Sequence, residues 1–260
     1  MHRAGINAPI TDRSVADSRR NKLLGSLPLE DLARLAPLLV SRAFTSGHLL
    51  QEPNDPILRV YFLTSGTIAL SVALPDGSSQ YTAIIGREGA LGLSAGLGVQ
   101  LAQARAVVQS PVTAFCVPVA QFAAVCATSH AVRKMLVCYG DILLAQHQRT
   151  IVCNSSHYLQ ARLCRWMLHA RDATGSPTLV LTQQFLSKIL GAQRTSVNLE
   201  LGLLHAQGLI EVQRGRIHLR EPALLEDRSC CCYGAIRRLA TAGAADVGHA
   251  DPMLMERQRQ

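Results

Sequence analysis

Residues 180–220 read VLTQQFLSKILGAQRTSVNLELGLLHAQGLIEVQRGRIHLR, and the spacing of their apolar and glycine residues decides the architecture of the C-terminal half. Thr182 stands where a helix needs an N-cap, and Phe185, Leu186 and Ile189 share one face of the short helix that follows. Gly191 permits a tight turn, because a residue without a Cβ adopts a left-handed backbone freely. A second helix then carries Val197, Leu201 and Leu204 inward at i, i+4 and i+7. Two short helices joined in this way make a helix-turn-helix. Beyond Gly208, Leu209-Ile210-Glu211-Val212 and Ile217-His218-Leu219 flank the basic glycine turn Arg214-Gly215-Arg216, which predicts a two-stranded wing.

The inward positions determine what points outward. Gln193, Arg194, Thr195 and Asn198 fall on the opposite face near the start of the second helix, with Ser196 among them. Arginine can donate two hydrogen bonds to guanine, asparagine can pair with adenine, and threonine can touch a thymine methyl or a phosphate. The helix N-terminus at Ser196 also favours a phosphate oxygen. Arg214 and Arg216 in the wing are placed to hold a DNA backbone. Charge is distributed accordingly: residues 129–220 hold 11 basic and 4 acidic side chains, against 10 and 8 in residues 1–128 and 5 and 6 in residues 221–260. Nearly all the positive field of a chain with net charge +8 therefore surrounds this segment, as attraction to double-stranded DNA requires.

Upstream of the motif, glycine is sparse and apolar residues recur at helical spacing. Val132, Leu136, Tyr139 and Leu143 form one stripe, and Met135, Cys138, Ile142 and Ala145 a second. One long helix with two apolar faces needs two partners: a neighbouring domain and the same helix of a second subunit, or two parts of one large core. Gly140 within it costs on the order of 1 kcal/mol of helix propensity, which packing must offset. A further helix, roughly His157 to Ala173, stops at Thr174-Gly175-Ser176-Pro177. Earlier still, from Phe44 to Pro118, short apolar runs alternate with glycine. Val60-Tyr61-Phe62-Leu63, Ile68 to Leu74 and Tyr81 to Ile85 read as strands, the last two joined by Pro75-Asp76-Gly77-Ser78. Such strands predict an antiparallel barrel or roll.

The expected order is thus an α+β chain: a disordered tail over 1–20, a β-roll effector-type domain over 21–128, a dimerisation helix over 129–154, a winged helix-turn-helix over 155–225 and a C-terminal tail over 226–260. No run reaches the roughly 18 apolar residues of a membrane span, and MHRAGINAPITDRSVADSRR lacks the apolar middle of a signal peptide. A cytoplasmic homodimer without membrane contact is expected. Glycine-rich nucleotide loops, a nucleophile elbow and paired-histidine zinc motifs are missing, so an enzyme is not expected.

With these residues in view, the chain from about residue 20 to 240 resembles the cyclic-AMP receptor protein and fumarate-nitrate reduction regulator family, written Crp/Fnr. Asp55-Pro56-Ile57 through Val60-Tyr61-Phe62-Leu63-Thr64-Ser65-Gly66 is similar to its β-roll strand and glycine. Leu181-Thr182-Gln183-Gln184-Phe185-Leu186 through Gly191-Ala192-Gln193-Arg194-Thr195-Ser196-Val197 is similar to its helix-turn-helix, and Gln207-Gly208-Leu209-Ile210 to its wing entry. The resemblance implies a jelly-roll type, cyclic-nucleotide-binding-like N-terminal domain. It also implies a dimer on a palindromic site with half-sites about 34 Å apart, and contacts to RNA polymerase.

The resemblance places a candidate effector pocket at Glu88, Gly89, Ala90 and Arg105. Ala90 stands where a ribose-binding acid is needed, whereas Arg105 matches the phosphate-binding arginine or forms a structural salt bridge to Glu88. An alanine accepts no hydrogen bond, so no cofactor is called for and a cyclic nucleotide is not expected. Leu199 occupies a position where the cyclic-AMP receptor protein has an arginine, so the two targets should differ.

An iron–sulfur sensor of the fumarate-nitrate type requires N-terminal cysteines, but the first cysteine here is Cys116. Cys230-Cys231-Cys232 could bind a soft metal or oxidise. Adjacent helical residues point about 100° apart, and neither these thiols nor His157, His169, His205 and His218 show metal spacing, so inert thiols and no metal are expected. Two other readings stay open: a cyclic-nucleotide-dependent or redox- or metal-responsive regulator, and a ligand-binding signalling module whose C-terminal helices bind protein.

Overall fold

The computed structural model describes residues 17–239. Its first fixed point is Asn21, fully buried, which caps helix α1 (Lys22–Ser26) by accepting from the amides of Leu23 and Leu24 at 3.1 Å. The same side chain donates through Nδ2 to the carbonyls of Leu63 and Gly89, each at 2.8 Å. One amide group thereby ties this segment to two separate parts of the roll. Helix α2 (Leu29–Leu35) follows and buries Leu32 and Leu35.

The roll is one antiparallel sheet of β1 (Val40–Phe44), β2 (Leu49–Gln51), β3 (Arg59–Ala73), β4 (Ser79–Ile85), β5 (Ala90–Leu91) and β6 (Arg105–Pro118). Its order is β1-β6-β3-β4, with β2 pairing to β6 and β5 to β3. The expected hairpin is present: β3 and β4 turn through Leu74 to Ser78, where Gly77 has φ +80°. The two apolar runs on either side of Gly66 are one strand. Its register against β6 shifts repeatedly between Leu63 and Ile68, and Gly66 takes φ +73° where a Cβ would lie 2.0 Å from the Pro111 carbonyl oxygen. The glycine bends the strand instead of ending it, and the pairing continues through the bend. Leu63, Ile68, Ile85, Val108 and Val112 fill the interior.

Helix α3 (Val119–Thr128) leads to α4 (His130–Ser156), which Ser129 caps by accepting from the Val132 amide at 3.0 Å. The first apolar stripe read from the sequence, with Met135 and Cys138 of the second, turns toward this chain's roll. Val132, Met135, Leu136 and Tyr139 are buried against the roll, and Phe62 meets Phe122 edge-on at 5.8 Å in the same cluster. A Cβ at Gly89 would sit 2.0 Å from the Tyr139 hydroxyl, so a glycine is what lets α4 lie this close. Within one chain the first stripe and part of the second are thus taken up by the roll, while Ile142 and Ala145 stay half-buried. Val137, Leu144 and Ile151 are left in water, at 62%, 56% and 70% exposure and seven residues apart, with Val152 exposed beside the last of them.

At His157 and Tyr158 the backbone becomes extended, with ψ of 145° and 152°, and a new helix α5 (Leu159–Thr174) begins. The winged domain adds β7 (Thr178–Val180), α6 (Gln183–Leu190), α7 (Arg194–Ala206), β8 (Ile210–Gln213), β9 (Arg216–Leu219) and α8 (Pro222–Arg228). Its sheet runs β7-β9-β8. Its core, with Leu163, Trp166, Met167, Leu186, Val197 and Leu204, is continuous with Ala69 and Ile84 of the roll. Phe185 joins the two, 4.5 Å from the ring of Tyr81 and 5.5 Å from that of Trp166.

Residues 226–239 are not a tail: a helix runs over 232–239, and Cys230, Cys232, Tyr233 and Ile236 are buried. The Tyr233 hydroxyl donates to Asp172 at 2.8 Å, which holds this helix to α5. Of the expected N-terminal tail, residues 1–16 lie outside the described residues, and Ser18 is buried. The remainder of the expected C-terminal tail, 240–260, also lies outside them. Among the described residues no helix is long and apolar enough to cross a membrane.

Where α1, α4, α5 and the 232–239 helix meet, a cavity of about 440 Å³ is lined by Lys22, Glu88, Tyr139, Arg165 and His169, among others. Burial, with Arg165 nearby, holds His169 down at about 4.

Two consequences are measurable. Asn21→Ala strands two buried carbonyls and should cost about 3 kcal/mol in urea unfolding, whereas a surface change such as Glu30→Ala should cost almost nothing. An unfolded imidazole titrates near 6.5, so between pH 6.5 and 4 the unfolded chain binds a proton that native His169 refuses. Stability is thus complete above that window and falls by up to about 3 kcal/mol as pH drops through it; His169→Gln should flatten this slope in thermal unfolding.

Candidate nucleic-acid interface

The helix-turn-helix forms as its sequence requires. Thr182 accepts from the Phe185 amide at 3.1 Å and so caps α6, and Phe185, Leu186 and Ile189 are buried. Gly191 ends the helix with φ +58°. Val197, Leu201 and Leu204 of α7 are buried against α5 and α6, which turns Gln193, Arg194, Thr195 and Ser196 to solvent at the helix start. Asn198 is half-buried, and its Oδ1 has no partner among the described residues. Leu199 is 64% exposed beside them, an apolar surface able to meet a thymine methyl.

The wing completes this surface. β8 and β9 pair from Ile210–Leu219 to Gln213–Arg216, and Gly215 makes the turn with φ +72°. Glu211 is engaged by Arg220 through Nε at 3.1 Å, an interaction that holds the Glu211 carboxyl below the usual carboxylate range. Arg214 and Arg216 are exposed and form no ion pair among the described residues, so both cations remain available for phosphate.

The residues considered for an effector pocket are not brought together. Ala90 is 4% exposed and pairs with Phe62, whereas Arg105 pairs with Ser71, nine residues further along β3. Arg105 Nε lies 3.5 Å from Glu52, which replaces the expected salt bridge to Glu88. Glu88 points the other way. Its Oε1 accepts from the Gly86 amide at 2.9 Å and its Oε2 has no partner among the described residues, while burial pushes its carboxyl up. The cavity that Glu88 lines includes none of Gly89, Ala90 and Arg105.

The cysteines depart from the reading of inert thiols without metal spacing. Cys230 and Cys232 are buried, and together with Cys153 and His157 their ligand atoms all lie within 4.8 Å of one another. The 100° spacing of helical neighbours does not apply to them, because the helix starts only at residue 232 and leaves Cys230 on non-helical backbone. The signal was available as Cys153 and His157 four positions apart at a helix end, with Cys230 and Cys232 at alternate positions far along the chain.

Two family models match the chain: a cyclic nucleotide-binding domain over residues 41–129 and a Crp-like helix-turn-helix domain over residues 161–228. A search of curated proteins returns no match. Among solved structures, FixK2 from Bradyrhizobium japonicum is similar with a TM-score of 0.65 and 16% identity, over 74% of this chain and 98% of that one. A CRP-family transcriptional regulator from Thermus thermophilus gives 0.61 and 18%, over 72% and 96%. The c-di-GMP responsive global regulator CLP of Xanthomonas campestris gives 0.59 and 14%, over 74% and 99%. At such identities the likeness is one of fold. A nucleotide-binding-type roll followed by this helix-turn-helix defines a DNA-binding transcription regulator, not an enzyme. The chain belongs to the Crp/Fnr family.

Base-reading and backbone-holding residues should separate on substitution. Arg194→Ala should cost about 1–3 kcal/mol on a preferred site and relax the choice of base at one position. Arg214→Ala or Arg216→Ala should weaken binding to all sequences alike and reduce the salt slope by about 1, read by fluorescence anisotropy at several salt concentrations.

Proposed function

We propose that the chain acts as a homodimer that reads a two-fold symmetric DNA site through α7 and is not switched by cyclic AMP. The observation that carries the dimer is the exposed stripe of Val137, Leu144 and Ile151. A heptad spacing keeps these residues on one line of α4, and a Cβ added at Gly140 would meet nothing within 4 Å, so a partner helix can approach closely there. Three large apolar side chains in one row are a liability on a monomer and a seam in a dimer. Two copies of α7, related by a dimer axis along α4, suit half-sites one helical turn apart.

Independence from cyclic AMP is supported by Ala90, buried and without a hydrogen-bonding side chain, and by the engagement of Arg105 with Glu52. A ribose and a phosphate would each lose the polar partner they need. RNA polymerase is the further partner that membership of the family suggests.

Leu144→Glu places a charge in the seam and should shift the protein from dimer to monomer in sedimentation velocity. The deciding experiment selects from a randomised duplex pool without ligand. Recovery of a palindrome by the native chain, and its loss with Leu144→Glu, supports the reading; sequence-blind retention by the native chain, or a native monomer, refutes it.

A further inference from the structure

The long helix ends in a cluster that DNA recognition does not use. Cys153 lies in the last turn of α4 and His157 is the extended residue that caps it, while Cys230 precedes the last helix and Cys232 is its first residue. Cys153 Sγ is 3.4 Å from Cys230 Sγ, and Cys232 Sγ is 3.9 Å from His157 Nδ1. A tetrahedral ion with bonds of about 2.3 Å to sulfur and 2.0 Å to nitrogen sets its ligands roughly 3.5 to 3.8 Å apart. The two quoted separations bracket that edge, and all four ligand atoms lie within 4.8 Å of one another, so a small contraction closes the set. Each ligand comes from a different rigid position, so four side chains converge without any one chain segment supplying more than two.

A second observation is Arg165, 3% exposed, whose Nε has no hydrogen-bond partner among the described residues. It forms no ion pair among the described residues, and its charge acts on Cys153 and Cys230. A buried guanidinium without a counter-charge is costly. A divalent ion held by three thiolates and a neutral imidazole carries a net charge of −1, which is the counter-charge Arg165 lacks. Loading releases the three thiol protons to solvent and involves no redox step.

We propose that Cys153, His157, Cys230 and Cys232 bind one thiophilic divalent ion of the zinc class in a closed tetrahedral site. The ion would fasten the end of α4 to the segment that leaves the winged domain, across the break between α4 and α5. Cys231, exposed with Sγ 3.8 Å from His157 Nε2, lies outside the set.

The test titrates Co²⁺ into the reduced, chelator-stripped full-length chain. Thiolate-to-cobalt charge transfer with intense tetrahedral ligand-field bands, saturating at one ion per chain and bleached by Zn²⁺, is expected. Cys153→Ser and Cys232→Ser should each weaken Co²⁺ affinity by more than about 100-fold, beyond what loss of an outer-shell partner does, while Cys231→Ser leaves it unchanged. A pale octahedral spectrum, no thiolate charge transfer, or a spectrum retained in Cys153→Ser would overturn the site. So would a Cys153–Cys230 disulfide that persists in reductant, found by peptide mass mapping. Should a variant fail to fold by circular dichroism, the native chain's spectrum and stoichiometry still decide.

Discussion

Three aromatic rings hold the two halves of this protein in one arrangement. Phe185 stands between Tyr81 of the β-roll and Trp166 of α5, so the first helix of the helix-turn-helix is anchored to the hairpin of another domain. Separating them would return a phenylalanine to water, about 1.5–3 kcal/mol, and expose Ala69 and Ile84 as well. The backbone reinforces the contact where the Arg87 amide donates to the Ala173 carbonyl at 3.0 Å, at the end of α5. Because α7 packs on α6 through Val197, Leu201 and Leu204, the aim of the DNA-reading surface is inherited from this aromatic junction. A signal that re-aims the helix must favour another junction by its differential affinity for the two.

The same constraint explains why α4 offers only a narrow face to other molecules. One side is spent on the roll, where Tyr139 slots over Gly89, and the adjoining side faces the cavity near His169. What remains is the line through Val137, Leu144 and Ile151. A helix of 27 residues with this division of labour can join two subunits without loosening its hold on its own domain.

Local pattern made much of this legible. Thr182, Gly191 and the inward spacing of Val197, Leu201 and Leu204 specify the helix-turn-helix by rules that act within a few residues, and the Pro75 to Ser78 turn behaves likewise. The parts that could not be read depend on long-range placement. Periodicity marks Met135, Cys138 and Ile142 as apolar but does not say which partner they meet; Met135 and Cys138 meet their own chain's roll. Gly66 reads as a strand end because its bend is imposed by Pro111, far along the sequence. The pairing of Arg105 with Glu52 follows from the strand registers, as does the distance between Ala90 and Arg105 along the sheet. Cys153 and Cys230 are 77 positions apart, and only the return of the last helix onto α5 makes them neighbours.

The break between α4 and α5 is confined to His157 and Tyr158, and Tyr158 is 91% exposed, free of packing that would resist its turning. Helix α5 has 16 residues and is therefore a rigid arm of roughly 24 Å. A swing of about 8° in that arm moves its far end by about 3.4 Å, one base-pair step along DNA. In a two-fold pair, two such arms form a caliper whose opening is set by a handful of backbone torsions. Operator spacing then depends on these two residues together with the Phe185 junction that holds the far end of the arm, and whatever stiffens either narrows the range of half-site separations the protein tolerates.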